Sequence, residues 1–470
     1  MRTFQKLIRN SFCSSNYSLF FLLAAVIFFS GCNKEFKENN TSAAINATGI
    51  DDARSSKPNI VLILSDDVGY EIPTYTGGQS YITPNLDKLS HAGMQFTQCY
   101  SSPMCSPSRV MLLTGKYNFR NYTGWGALSL DQRTFANMFK TAGYNTYVAG
   151  KWQLDNGDLG VHTFGFDEYI IFNPYEDRNT SHDNSPLTIG RYKSPELYVN
   201  GAYLNPDSVI GKYCDDILVD SITSYAAKSK AQKKPFFIYY PMSLAHDPFS
   251  PTPDDPEYAT WDNSPSNSDT SFFPSMINYM DKKVGQLIRR FDSMGLTKST
   301  IFIFIGDNGT PHYIFSQYKG QTVQGGKQQT TIWGTHVPML VYWKGHIKPN
   351  TINNNLVDFT DFLSTFADLA QTPKPTTYGQ LDGVSFYNSL IDPNTKIRDW
   401  VFDHYNNDRY TDKPTYRFAQ NSIYKLYDSS GLFYNIVTDP YEDTNIPVSK
   451  MTAEQLQLRN YFQSIMDSLH

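Results

Sequence analysis

Cys105-Ser106-Pro107-Ser108-Arg109, followed by Val110-Met111-Leu112-Leu113-Thr114-Gly115, reads as a polar turn feeding a short apolar helix. Proline suits a first helical turn, where its missing N–H would have been an orphan donor, and Gly115 suits the exit. Cys105 then stands at the positive end of a helix dipole. Free N–H groups and Arg109, one turn on, face whatever anion lies against its side chain. This is the setting of a nucleophile, in the simplest case a thiolate, aimed at a bound tetrahedral anion. Two acidic pairs belong with it: Asp66-Asp67 after the apolar run 60–64, and Asp307-Asn308 after the run 300–305. Three carboxylates and an amide brought together would repel one another unless a hard cation held them; Ca2+ suits such an all-oxygen set best and Mg2+ second. Lys151, in Gly150-Lys151-Trp152, and Lys327, in Gly325-Gly326-Lys327, offer positive charge to the anion, and His246, in Ala245-His246-Asp247-Pro248, is a candidate general acid.

These residues are far apart in sequence, so a fold must collect them. The run 60–64, Ile-Val-Leu-Ile-Leu, is apolar throughout, the pattern of a strand buried on both faces. Further strands are expected at 144–149, 236–240, 300–305 and 339–343, and helices at 83–93, 134–142, 208–230, 274–294 and 356–370. Strands alternating with long helices give an α/β fold: a large, mainly parallel sheet flanked by helices, whose ligands collect beyond the C-terminal ends of the strands. After about residue 394 the texture changes to short strands at 416–419, 422–427 and 432–436 and a helix opened by Thr452 and Gln455 as a capping box. This predicts a smaller C-terminal antiparallel sheet plus helix. The expected organisation is a signal at 1–31, a tether at 32–56, a catalytic domain at 57–394 and a C-terminal subdomain at 395–470.

A net charge of −5 excludes the basic field that nucleic acid requires, so an anionic ligand must be met by a local cluster of cations. Arg2, Lys6 and Arg9 precede an apolar run at 19–29, and Ser30-Gly31-Cys32 closes it, which resembles the lipobox of bacterial lipoproteins. That resemblance implies acylation of Cys32, a lipid anchor, and residence in the cell envelope, at the periplasm or outer membrane, on the polar tether 33–56. Of five cysteines, Cys13 and Cys32 fall in the signal, which leaves too few for a disulfide framework and makes Cys105 an isolated thiol in an oxidising compartment.

The chain from residue 58 onward resembles the type I sulfatases of the alkaline phosphatase superfamily. Cys105-Ser106-Pro107-Ser108-Arg109 with Leu112-Leu113-Thr114-Gly115 is similar to their signature, and so are Leu64-Ser65-Asp66-Asp67, Thr83-Pro84-Asn85-Leu86-Asp87, Gly150-Lys151-Trp152, Gly165-Phe166-Asp167, Asp307-Asn308-Gly309 and Asp382-Gly383-Val384-Ser385. The resemblance implies that a maturation enzyme oxidises Cys105 to formylglycine. One hydroxyl of its hydrate would attack sulfur, and deprotonation of the other would expel sulfate. It also implies that Asp66, Asp67, Asp307 and Asn308 hold Ca2+, that Arg109 supports the aldehyde hydrate, that Lys151 and Lys327 bind sulfate, and that His246 binds sulfate and protonates the leaving oxygen. The substrate implied is a sulfated saccharide, with its selection placed in loops such as 173–203 and 252–273.

Two positions depart from the family pattern. Gln153 stands where the family has a histidine thought to accept the proton that lets sulfate leave, and an amide cannot do so. Another group or water must take that proton, or turnover is slow. Ile332-Trp333-Gly334-Thr335-His336 replaces Glu-Gly-Gly-x-Arg, with His336 expected to keep a positive charge and Trp333 to reshape the substrate mouth. The alternatives are a phosphatase or phosphodiesterase of the same superfamily, and a non-catalytic lipoprotein that binds sulfated glycans. The first is opposed by the absence of a histidine beside Asp307-Asn308, the second by the complete nucleophile and cation set.

Overall fold

The computed structural model describes residues 57–172, 191–264, 266–406 and 415–469. Cys32 and the signal and tether expected before residue 57 lie outside them. Among the described residues no helix is long and apolar enough to cross a membrane.

The strands of the first half are β1 (Asn59–Ser65), β2 (Met94–Tyr100), β3 (Asn145–Lys151), β4 (Glu168–Phe172), β5 (Leu197–Val199), β6 (Ala202–Tyr203) and β7 (Phe236–Pro241). They are followed by β8 (Thr300–Gly306), the hairpin β9 (Phe315–Tyr318) and β10 (Gln321–Gln324), then β11 (His336–Trp343) and β12 (Thr351–Asp358). Ten of these form one sheet in the order β12-β2-β11-β8-β1-β7-β3-β4-β5-β6. The run β8-β1-β7-β3-β4 is parallel throughout, as the alternation of strands and helices predicted. Antiparallel neighbours flank it, since β11 opposes both β8 and β2, and β5 opposes β4.

The uniformly apolar β1 follows from its place in the middle of this sheet. Ile60, Leu62 and Leu64 point into one core, with the helices Cys105–Thr114, Phe135–Thr141 and Asp361–Leu369. Val61 and Ile63 point into the other, under the helices Cys214–Ala231 and Phe273–Ser293. Each side chain is at most 1 % exposed, which stabilises the fold by about 1.5–3 kcal/mol apiece.

Two boundaries differ markedly from expectation, and several strands, β2 among them, were not expected. The helix expected at 356–370 is two elements, because Leu356 to Asp358 finish β12 and the helix starts at Asp361. A carboxylate turn separates them: Asp361 Oδ2 accepts the Asp358 N–H, and Asp358 Oδ1 accepts the Thr360 N–H. The helix expected from residue 208 starts at Cys214, after a short turn in which Asn205 Oδ1 caps Asp207. β2 was not foreseen, because Met-Gln-Phe-Thr-Gln-Cys-Tyr alternates only weakly.

The tail forms the antiparallel sheet β13 (Val401–Asn406), β14 (Thr415–Gln420), β15 (Tyr424–Tyr427) and β16 (Phe433–Asn435) and the helix Ala453–Ser468. Thr452 and Gln455 form the expected capping box. Phe402, Leu426, Phe433, Phe462 and Met466 join the core that contains the Cys105 helix, so this sheet braces the catalytic side.

Candidate active site

Strand register brings the acidic pairs together. β1 and β8 run parallel with Ser65 opposite Gly306, so Asp66-Asp67 and Asp307-Asn308 leave neighbouring strands at the same level. The Asp307 N–H donates to the Ser65 carbonyl at 3.0 Å, and the Asp67 N–H to Asp307 Oδ1 at 3.0 Å. Lys151 ends β3, and His246 lies five residues beyond the end of β7. Cys105 is the first residue of its helix and 1 % exposed, with Gly115 closing that helix at a φ of 67°. It lies four residues before Arg109 on the same helix.

All the candidate residues inside the chain's catalytic part therefore converge at one edge of the sheet. Arg109 donates to Asp307 Oδ2 from Nε at 3.1 Å and Nη2 at 2.8 Å, and from Nη1 to the Lys151 carbonyl at 3.1 Å. Lys151 Nζ lies 2.5 Å from Asp66 Oδ2, and Lys327 Nζ 2.5 Å from Asp67 Oδ2. His246 Nδ1 is 2.8 Å from the Asp247 carboxylate and 2.6 Å from Arg191 Nη1, which leaves Nε2 facing Asp67 at 3.7 Å. Asp66, Asp67, Asp307 and Asn308 are fully buried; His246, with 15 % of its side chain exposed, is the member that opens toward solvent. Sequence reasoning missed Arg191, which stands 55 residues before His246 with no motif around it.

Two loops are locked to each other by main-chain contact. A methyl group at Gly309, beside Asn308, would sit 1.9 Å from the Trp333 carbonyl oxygen, and one at Gly326, beside Lys327, 2.4 Å from the Trp333 carbonyl carbon. The Gly309 N–H also donates to the Gly334 carbonyl at 2.9 Å. Glycine is required at both positions because backbone approaches backbone there.

Three carboxylates meet three cations in a dry setting, and the titrations of Asp66 and Asp307 move apart. Burial alone would raise Asp66, but Lys151 foremost, then His246 and Arg109, hold it well below the usual carboxylate range. Burial and then the charge of Asp66 push Asp307 up to about 7 against the pull of Arg109. Burial, with Lys327 adding to it, lowers His246. Asp66 Oδ1 and Asn308 Oδ1 are buried without a hydrogen-bond partner, while Asp66, Asp67 and His246 offer ligand atoms within 4.8 Å of one another. Open, buried oxygen donors of this kind fit a hard divalent cation.

The departures also have a structural form. Gln153 is 8 % exposed, adopts a φ of 57°, and leaves its Oε1 buried without a partner. His336 does not carry the expected charge. It stacks on Tyr70 at 3.8 Å and Tyr100 at 5.0 Å, with Nε2–H donating to the Thr97 carbonyl at 2.9 Å, and burial lowers its pKa to about 4. The unfolded chain takes up this proton near its ordinary value of 6.5, so the contribution to stability is complete above that pH and is lost as the pH falls toward 4. Urea unfolding between pH 4 and 7 is expected to show this slope and His336→Gln to flatten it. Trp333 is 9 % exposed between Tyr318 and Tyr441, a packing position rather than an open wall of the mouth.

The family profile described as sulfatase matches residues 58–372. The chain belongs to the sulfatase family. Its activity class is therefore sulfuric ester hydrolysis. A second profile, N-sulphoglucosamine sulphohydrolase, C-terminal, matches residues 333–467 of this sulfatase. Among curated relatives, the N-acetylgalactosamine-6-O-sulfatase of Bacteroides thetaiotaomicron is 28% identical over 81% of this chain and 83% of its own length. Arylsulfatase A of Bos taurus is 31% identical over 74% of this chain and 71% of its own. Among solved structures, Ps i-CgsB, known also in complex with k-i-k-neocarrahexaose, superposes with a TM-score of 0.71 at 24% identity, covering 88% of this chain and 92% of that one, and so shares the fold.

Proposed function

We propose that this sulfatase removes sulfate from a sulfated saccharide, using a formylglycine made from Cys105 and a divalent cation, Ca2+ before Mg2+, held by Asp66, Asp67, Asp307 and Asn308. The observation that carries this reading is the convergence of Arg109, Lys151, Lys327 and His246 on the three carboxylates Asp66, Asp67 and Asp307, with Asn308 bonded to Asp67 and Arg109 borne on the Cys105 helix. The saccharide is supported by the relative named for N-acetylgalactosamine 6-O-sulfate and by the fold neighbour that binds a neocarrahexaose.

When bound, the cation supplies Lewis-acid neutralisation of sulfuryl charge, and the hydrated aldehyde supplies the attacking hydroxyl. The chain's own side chains do the rest. Lys151 and Lys327 bind the sulfate oxygens, and charge that develops on them meets preorganised cations instead of water. Arg109 fixes Asp307 and keeps the first helical turn in register with β8. His246, whose Nδ1 accepts from Arg191 Nη1 at 2.6 Å, carries its proton on Nε2 and passes it to the leaving sugar oxygen. Release of free sulfate from a panel of sulfated saccharides, with the mass of the Cys105 peptide from a host that carries the maturation enzyme, tests the reading. An unmodified Cys105 with no sulfate released from any saccharide would overturn it.

Gln153 leaves the release of sulfate without a buried base. Gln153→His is expected to raise kcat by about a hundredfold, the lower range of general base catalysis; an unchanged kcat would assign the proton to water. Export, acylation of Cys32 and residence in the cell envelope belong to the same proposal. They are supported by the signal pattern at 1–32, and fatty-acid labelling of Cys32 is the test.

A further inference from the structure

The segment that carries Lys327 is held at both ends by the tail of the chain. At one end the Gln324 N–H donates to the Tyr441 hydroxyl at 3.1 Å; at the other, Thr330 is gripped through both its carbonyl and its hydroxyl. The Thr330 carbonyl accepts from the Lys425 ammonium, which donates again to Glu442 Oε1 at 2.9 Å. Tyr427 gives its single phenolic proton to Glu442 Oε2 at 2.5 Å, so the Thr330 hydroxyl is the donor in its 2.6 Å contact with that phenol oxygen. The hydrogen bonds close into a ring. It leaves Thr330 by the hydroxyl, passes through Tyr427, Glu442 and Lys425, and returns to the carbonyl. The Lys425 side chain is 0 % exposed and that of Glu442 6 %, and the ammonium lies over the Phe418 ring at 4.0 Å. A buried charge that loses its partner is expensive, so a ring of this kind holds one geometry. Between the two held ends, the Lys327 N–H donates to the Thr310 carbonyl at 2.9 Å and the Gln328 N–H to the Pro103 carbonyl, two residues before Cys105, at 2.8 Å. Residues 325 and 326 are both glycine and bring no side chains to the task.

We propose that Lys425, Glu442 and Tyr427 are positioning residues for Lys327, so that the small C-terminal sheet sets one of the sulfate-binding cations in place. The proposal rests on the reading of Lys327 as a ligand of the sulfate oxygens. Lys425 and Glu442 are opposite charges in contact, so together they add little net field at the sulfate; what they supply is the place of Thr330. That place is passed along the main chain. Thr330 stands three residues after Lys327, and between them Gln328 is held in the left-handed region at a φ of 73°, a conformation that persists only when the bonds around it fix it. Slack at Thr330 therefore reaches both the Lys327 N–H and the bond to Pro103. A misplacement of about 1 Å at a group that orients the reacting centre costs about a hundredfold in rate.

The test measures kcat, KM and the inhibition constant of inorganic sulfate for the matured enzyme, on a sulfated saccharide that the wild type hydrolyses and at a temperature where each variant is folded. Lys425→Met keeps the aliphatic stem and removes the ammonium. It is expected to lower kcat/KM by about a hundredfold and to weaken inhibition by sulfate by about tenfold, the value of one charge-assisted contact. Tyr427→Phe leaves the ion pair intact and opens the ring at one bond; it is expected to lower kcat/KM by about fivefold, and it carries the test if Lys425→Met does not fold. In a Lys327→Ala background each substitution is expected to change kcat/KM by less than about twofold, because the group it positions is gone. Effects that add in full to that of Lys327→Ala, or a fall in kcat alone with KM and sulfate inhibition unchanged, overturn the proposal, since a loss of folded enzyme does the same. Lys327→Ala by itself separates the two readings. If it loses turnover and sulfate inhibition while Lys425→Met and Tyr427→Phe behave as the wild type, the positioning role alone is overturned; if it keeps both, the sulfate-binding reading of Lys327 falls and the positioning role with it.

Discussion

Cys105→Ala is expected to lower sulfate release by about 10⁴-fold or more, the order of loss when a lone nucleophile is removed. The fold should tolerate the change. Cys105 is 1 % exposed in a well-packed helix, and losing one small buried atom costs about 1 kcal/mol. Cys105→Ser sharpens the experiment, because it keeps one hydroxyl at the same helix N-terminus and lacks the second. It is expected to release at most one equivalent of sugar alcohol and no free sulfate, so that alcohol and sulfate are measured separately. Alanine with turnover near the wild-type value would place the nucleophile elsewhere and remove the basis for assigning this helix to the chemistry.

Arg109→Leu carries the second large effect, and here stability and turnover fall together. Arg109 is 2 % exposed and gives two hydrogen bonds to Asp307 Oδ2 and one to the Lys151 carbonyl, so it joins the Cys105 helix to the ends of β8 and β3. Removing it leaves Asp307 buried without its partner, and breaking such a pair costs about 3–5 kcal/mol. Urea unfolding of chelator-treated protein at pH 8, above the value near 7 to which Asp307 is pushed, is the measurement. Arg109→Lys is expected to lose less stability but most of the turnover, because an ammonium cannot reproduce the planar fork. A loss below about 1 kcal/mol for Arg109→Leu would mean that Asp307 is protonated in the folded protein at that pH.

The candidate site was readable because Asp66-Asp67, Asp307-Asn308 and Lys151 stand at the ends of apolar runs and Cys105 to Arg109 form a motif that opens a helix. Asp66-Asp67 and Asp307-Asn308 interrupt strands abruptly, and a parallel sheet of unknown strand order still puts such ends on one edge. What could not be read is how the chain pairs at long range. Nothing in residues 336–343 announces that β11 runs against its neighbours, and that reversal brings His336 to the site edge between two tyrosines, where burial removes the charge expected of it. The alternation of β2 is weak because its partly polar face lies between β11 and β12 near the margin of the sheet, where hydrophobic contrast is small. Arg191 has no motif, because its role comes only from the loop that brings it to His246.

The contact of Gly309 and Gly326 with the main chain at Trp333 and Gly334 also bears on how such an enzyme can diversify. Any side chain at 309 or 326 collides with carbonyl groups that cannot move without carrying Asn308 and Lys327 along, so these positions are closed to single-step change. Change in this enzyme must therefore arise away from the junction, and drift at the junction is removed before selection on the substrate begins.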